Sequence, residues 1–305
     1  MPATAHAPLR LPEHLRKRMG TTADRARVHA LMRASGLSTV CEEARCPNIG
    51  ECFSSGTATF MILGDRCTRR CHFCAVTTGK PRAIDPEEPE KLAAAASSLG
   101  LSHVVITSVD RDELADKGAH HWAACIRAVK KIGATVEILT PDFGGDQKLI
   151  DVVVDAGPDV FNHNMETVER LYQSVRPQSS WSVTTSLLRH VAAGGHPAVK
   201  SGIMVGLGED DDEVLRTLET MRGLGVHIAT IGQYLRPSLK HWAVERYVDE
   251  AAYERFRSHG EGLGFTHVFA ASFVRSSYHA QYVFAAGAAH LHHQQQKPSL
   301  LRVLP

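Results

Sequence analysis

From Thr57 onward, apolar runs and amphipathic stretches take turns along the chain. TATFMILGD, starting at Thr57, is a short apolar run with β-branched residues and predicts a strand. Pro86–Leu99 sets Leu92, Ala96 and Leu99 on one helical face. His103–Val109 predicts a second strand, Ala115–Ile132 a helix and Thr135–Leu139 a third strand. A helix over Asp146–Ala156 and a short strand at Val160–Asn164 come next. Glu166–Val175 carries Val168, Leu171, Tyr172 and Val175 at the spacing of a buried helix face. Another helix is predicted over Trp181–Ala193 and a fifth strand over Val199–Leu207. Glu209–Leu224 then predicts a helix, with Val214, Leu218 and Met221 inward, and His227–Leu235 a sixth strand. Upstream, residues 1–40 are polar and basic, with a helix predicted near Asp24–Ser35.

Six strand–helix alternations predict the α/β class: a parallel sheet with right-handed crossovers, its strands apolar because both faces are covered. Each unit takes roughly 30 residues, and a closed eightfold barrel needs about 250. Six units therefore predict an open, partial (β/α)6 TIM-like barrel with its chemistry at the C-terminal strand ends. The expected organisation is an N-terminal extension over 1–56, a barrel core over 57–236 and a C-terminal extension over 237–285. Residues 286–305, His/Gln-biased and including His290, His292 and His293, are expected to be a disordered tail.

Charge narrows the partners. Lys and Arg total 34 against 33 Asp and Glu, a formal net charge of +1. A strongly basic nucleic-acid binder and a polybasic membrane binder are not expected. No apolar run approaches the roughly 18 residues of a membrane helix, and the N-terminus has no export-type apolar core. The expected compartment is the cytoplasm.

The cysteines carry the chemistry. Six of the 7 fall between Cys41 and Cys74. An odd number without an export signal argues against a disulfide framework, and crowded thiolates are soft ligands for iron or zinc. Cys67-Thr-Arg-Arg-Cys71-His-Phe-Cys74 is a C-x3-C-x2-C loop that starts where the first predicted strand ends. Three close thiolates can hold three irons of a [4Fe–4S] cube and leave the fourth open to a ligand. The alternative is structural zinc with a distant fourth ligand. Zinc ligands usually come as two separated pairs, which a compact triplet matches poorly. A second trio, Cys41, Cys46 and Cys52, is spaced C-x4-C-x5-C and again falls one ligand short of a cube. Cys125, inside a helical pattern, reads as a buried inert thiol.

A C-x3-C-x2-C loop after a first β-strand, followed by a β/α partial barrel, resembles the radical S-adenosylmethionine (SAM) superfamily. The two trios together, in TVCEEARCPNIGECF and GTATFMILGDRCTRRCHFCAV, closely resemble the lipoyl synthase family within it. VVITSVDRDEL, NHNMETVERLY, VKSGIMVGLGED, TIGQYLRPS and VRSSYHA extend the resemblance over about residues 39–280.

The resemblance implies insertion of two sulfur atoms, at C6 and C8, into an octanoyl chain already amide-linked to a lysine of a carrier protein. It assigns Cys67, Cys71 and Cys74 to the cluster that cleaves SAM to a 5′-deoxyadenosyl radical. It assigns Cys41, Cys46 and Cys52 to a second [4Fe–4S] cluster consumed as the sulfur source, with Ser277 of the Arg275-Ser276-Ser277-Tyr278 motif as its labile fourth ligand. Read without the family, that motif is a polar turn. Two SAM molecules are spent per lipoyl group. The implied partners are octanoylated lipoyl domains of 2-oxoacid dehydrogenases, the glycine-cleavage H protein and an electron donor. Other radical-SAM sulfur inserters would carry different auxiliary spacing or an RNA-binding domain.

SAM contacts are expected at strand ends: Thr107, Asn162, Asn164, Lys200, Gly206, Gln233 and Arg236. Gly206 belongs to Gly202-Ile-Met-Val-Gly206-Leu-Gly-Glu209, which resembles the superfamily's GxIxGxxE element with Met204 in place of Ile. Glu209, Asp210, Asp211 and Asp212 read as acids complementing a helix dipole. The family carries Gly-Pro just before VRSSY; here Ala271-Ser272-Phe273 precede Val274.

Overall fold

Strands rich in Val, Ile and Phe line up side by side because both of their faces are covered. The computed structural model describes residues 9–16, 23–54, 59–195, 197–277 and 280. The expected tail at 286–305, with His290, His292 and His293, lies outside the described residues, as does Tyr278.

The elements run in this order: α1 (Ala23–Ser35), β1 (Ser38–Thr39), α2 (Val40–Glu43), α3 (Ile49–Ser54), β2 (Thr59–Ile62), β3 (Arg66–Cys67), β4 (Thr77–Thr78) and α4 (Glu88–Ser98). Then come β5 (His103–Ser108), α5 (Ala119–Lys131), β6 (Thr135–Leu139), α6 (Gln147–Val154), β7 (Val160–Asn162), α7 (Glu169–Val175) and α8 (Trp181–Ala193). The rest are β8 (Ala198–Val205), α9 (Asp211–Gly223), β9 (Ile228–Gln233), α10 (Glu250–Gly262) and β10 (His267–Ala270).

One sheet has the order β1-β2-β5-β6-β7-β8-β9-β10. All neighbours in it are parallel except β1 with β2, where Ser38 faces Met61. The six strands expected of the partial barrel are β2 and β5 to β9. Two more strands flank these six: β1 precedes β2, and β10 follows β9 in parallel, with Val268 opposite Ala229. Helices cover the outside. Trp122, Ile126 and Val129 of α5 and Leu187, Leu188 and Val191 of α8 are almost fully buried.

The register decides what faces inward. Met61, Thr107, Leu139, Asn162 and Lys200 are register partners in successive strands, so they form one interior layer. Below it the Lys200 ammonium meets Glu137 at 2.8 Å, both side chains 1% exposed or less. The barrel is thus polar at its centre and apolar between sheet and helices.

Candidate active site

The chain leaves β2 through a left-handed turn at Leu63 (φ 66°), whose two peptide groups are gripped from outside the strand. Its N–H donates to the buried Glu88 carboxylate at 2.9 Å, and its carbonyl accepts from Arg111 at 2.8 Å. Three residues on, β3 delivers Cys67 into the loop. β3 pairs with β4, and Gly79 N–H reaches Cys67 O at 3.0 Å, so the loop is closed at its base. At its tip, His72 N–H donates to Val175 O and the His72 ring stacks on Trp242.

Asp110, just past β5, clasps the first cysteine. Its N–H points at Cys67 Sγ, 3.3 Å away. Its carbonyl accepts from both the N–H and the hydroxyl of Thr68, at 3.1 and 3.0 Å. Arg69 locks the loop further. Its guanidinium, 6% exposed, makes two-pronged contacts with Asp112 and Asp142 and lies 3.3 Å from Asp110. Such forked pairs fix orientation as well as charge.

The other trio arrives on short helices. Thr39 caps α2, whose buried Cys41 follows two residues later, and Cys46 N–H bonds Cys41 O at 3.0 Å. Cys52 lies in α3, one helical turn beyond Asn48, whose side chain donates to Phe273 O at 2.8 Å. That contact ties the N-terminal cysteines to the C-terminal segment. The segment lies flat on β9 at Gly232, where an added Cβ would sit 2.1 Å from Val274 O. Val274 N–H closes a turn onto Ala271 O at 3.0 Å, so a turn forms here without Gly-Pro. The half-buried Arg275 guanidinium is pushed below its ordinary range by desolvation, with Cys46 close enough to oppose the shift.

All three loop cysteines and two of the N-terminal trio open on one cavity of about 480 Å³ at the C-terminal ends of the strands, and Cys52 is not in its lining. Cys41, Cys46, Cys67, Cys71, Cys74 and Ser277 line it. None of the seven cysteines is in a disulfide. Burial, reinforced by neighbouring cysteines and, in the loop, by Asp110 and Glu166, pushes Cys41, Cys67 and Cys74 up to about 12 and raises Cys71 as well. Thiols in that state gain most from a metal that deprotonates and pairs them, and sulfur is the donor iron–sulfur clusters take. The residues present fit two such clusters.

The remaining expected contacts divide. Thr107, Asn164 and Arg236 line the cavity, whereas Asn162, Lys200, Gly206 and Gln233 are not in its lining. Lys200 points to Glu137 inside the barrel. Asn162 is fully buried with neither end of its amide paired. Gln233 is a clasp: its amide donates to the carbonyls of Val205, Tyr234 and Arg246, each at 3.1 Å, and its oxygen accepts from Val248 N–H. Arg236 is held by the carbonyls of Leu239 and His241. Glu209 departs from the dipole role expected of it. Buried, it accepts from the N–H groups of Gly206 and Leu207 at 2.6 and 2.9 Å and so shapes the loop after β8. Asp210 is the helix cap, forming a capping box with Glu213.

Three cavity residues had no role assigned from the sequence. Arg176, nearly buried, donates to Tyr172 Oη at 2.6 Å and to Asn164 O, and lies beside Cys71. Glu166 has φ 68° and accepts from Asn164 Nδ2; burial raises its carboxyl. His163 is neutral and oriented. Its Nδ1 donates to Thr140 O at 2.9 Å, and its Nε2 accepts from Thr184, at 3.1 Å.

A parallel barrel with a three-cysteine loop after its first strand, opening on a cavity at the strand ends, defines a radical SAM protein. Residues 61–221 match the Radical SAM superfamily. Among solved structures, methylornithine synthase superposes with a TM-score of 0.52 at 16% identity, covering 66% of this chain and 62% of that one. A maturase of the [FeFe]-hydrogenase gives 0.55 at 12% identity, covering 87% and 61%. Both share the fold. The lipoyl synthase of Rubrobacter xylanophilus is 54% identical over 82% of this chain and 78% of its own. Those of Methylococcus capsulatus and Caldanaerobacter subterraneus are 51% and 50% identical, over 90% and 89% of this chain and 86% and 96% of theirs. The chain belongs to the lipoyl synthase family.

Proposed function

We propose that this chain is a radical SAM lipoyl synthase that inserts two sulfur atoms, at C6 and C8, into an octanoyl chain amide-linked to a carrier lysine. The observation that supports the reading is that Cys41, Cys46, Cys67, Cys71, Cys74 and Ser277 line one cavity. Cys67, Cys71 and Cys74 hold one [4Fe–4S] cluster; Cys41, Cys46, Cys52 and Ser277 hold the other. With SAM bound, the first supplies a carbon radical able to take hydrogen from an unactivated C–H bond, and the second supplies sulfur.

The chain's own residues do the positioning. Met61, Leu139 and Ile203 give the cavity an apolar wall that suits an alkyl chain and keeps water away. Thr107, Asn164 and Arg236 bind SAM from the strand ends. Asn162, Lys200, Gly206 and Gln233 support them from the layer and loop behind. The division into an extension over 1–56, a barrel over 57–236 and an extension over 237–285 assigns one cluster to the barrel and the other to the two extensions together.

The substrates of this reading are octanoylated lipoyl domains of 2-oxoacid dehydrogenases and the glycine-cleavage H protein, served by a separate electron donor in the cytoplasm. No described helix is long and apolar enough to cross a membrane. The test is anaerobic. Reconstituted chain should bind about eight irons, four per cube. Given an octanoyl-lysyl peptide, SAM and a reductant, it should yield lipoyl-lysine and 5′-deoxyadenosine. Cys46→Ala should still cleave SAM and make no lipoyl product. Normal product from that variant sinks the sulfur-donor role of the Cys41, Cys46 and Cys52 trio.

A further inference from the structure

Asp110 stands in two opposed relationships to Cys67. Its main-chain N–H points at the sulfur from 3.3 Å, and its carboxylate lies 3.6 Å from the same sulfur. A hydrogen bond to a cluster sulfur favours the reduced, more negative state and raises the potential. A carboxylate beside that sulfur does the reverse. The Arg69 guanidinium, 3.3 Å from the Asp110 carboxylate, partly offsets it. Arg69 cannot swing away, because Asp112 and Asp142 hold it by forked contacts. The Asp110 main chain is pinned by Thr68 at its carbonyl, and its carboxylate is held by the buried Arg69. The pair is therefore a fixed charge arrangement next to one cysteine of the loop.

We propose that Asp110, held by Arg69, sets the reduction potential of the iron–sulfur cluster on the Cys67 loop. The Asp110 carboxylate keeps the potential low, as an electron donor to SAM requires, and Arg69 limits how low it goes. Both are positioning residues. The inference rests on the reading that Cys67, Cys71 and Cys74 hold a cluster, and not on which substrate the radical attacks.

The test is an EPR-monitored potentiometric titration of the full-length, anaerobically reconstituted chain before SAM is added. The background is Cys46→Ala, so that the loop's cluster is the one followed. Asp110→Asn removes the negative charge and should move the midpoint positive. Arg69→Gln removes the offsetting charge and should move it negative. Arg69→Lys keeps the charge and should restore the midpoint toward the parent. A merely structural role would move all three the same way, through loss of iron, with no opposition of sign. Equal shifts from Lys and Gln, or an unmoved midpoint in Asp110→Asn, overturn the proposal. If Arg69→Gln retains no iron, Asp110→Asn alone decides. The expected shifts in a chain that makes no lipoyl product would refute the assigned reaction and leave this inference standing.

Discussion

The Ser276 hydroxyl accepts from Asn164 Nδ2 at 2.7 Å and donates to Asn164 Oδ1 at 3.0 Å. Residues far apart in sequence are thereby stitched together where β7 ends, and the next residue, Ser277, faces the cavity. Ser276 is thus the anchor of the residue assigned to the labile ligand position. Ser276→Ala should cost about 1–3 kcal/mol locally, since it strands a buried amide. The measurable outcome is iron. The reconstituted variant should fall from about eight irons per chain toward about four, the content of one cube. Lipoyl product should fall several-fold while the Cys67 loop still binds SAM. Unchanged iron and product would show that Ser277 is placed without this anchor.

The buried pair Lys200–Glu137 gives a second test. Both groups are removed from water inside the barrel, and His103 Nε2 lies 3.9 Å from the other Glu137 oxygen. Taking one partner away leaves an uncompensated charge, a loss of about 3–5 kcal/mol. Lys200→Met should therefore lower the unfolding free energy by that amount in urea titration. The double variant Lys200→Met/Glu137→Leu should recover most of it. If Lys200→Met is as stable as the parent, the lysine is not held where the structure has it.

Much of this architecture was legible from pattern alone. β6 and α8 begin and end where hydrophobic periodicity puts them, because buried apolar runs leave little choice of register. The thiol loop was legible from its spacing. α10 and β10 were not read within the C-terminal extension. His267–Ala270 is four residues long and fully buries only Val268, so it lacks the long apolar run of the other strands. Arg69 was missed because an arginine between cysteines looks like a solvated charge. Its partners, Asp112 and Asp142, come from loops that only the closed sheet brings near. Glu209 was read with its acidic neighbours for a related reason: four acids in a row give no sign of which one turns inward.

A third expectation concerns pH. Arg176 donates to Tyr172 Oη, which meets Thr184 Oγ1 at 2.5 Å, and Thr184 in turn faces His163 Nε2. With Nδ1–H committed to Thr140 O, the ring is held neutral. Burial, helped by the nearby Arg176 charge, pushes His163 down to about 4 from 6.5. Between those values the unfolded chain binds a proton that the folded chain refuses, so stability rises with pH there. The contribution is complete above pH 6.5 and is lost as pH falls through about 4, a change of about 3 kcal/mol. Urea unfolding across that window should show the slope, and His163→Gln should flatten it. An equal slope in the variant would place the responsible group elsewhere.

The loop after β8 offers the last test, with a control two residues away. Gly206 has φ 98°, and a Cβ there would lie 2.2 Å from Gln233 Nε2 and 2.6 Å from Arg246 O. Its N–H is taken by Glu209, so the backbone cannot relax without giving up a buried bond. Gly208 is also left-handed, at φ 115°, but its Cβ would meet nothing closer than 3.5 Å. Gly208→Ala should cost the conformational penalty, about 1–2 kcal/mol. Gly206→Ala should add displacement of the Gln233 clasp and the loss of buried hydrogen bonds, a further 1–3 kcal/mol or so. Equilibrium unfolding of the two variants side by side separates strain from collision. Equal losses would mean that Gln233 moves freely, and its role as the clasp between β9 and the segment at Arg246 and Val248 would be wrong.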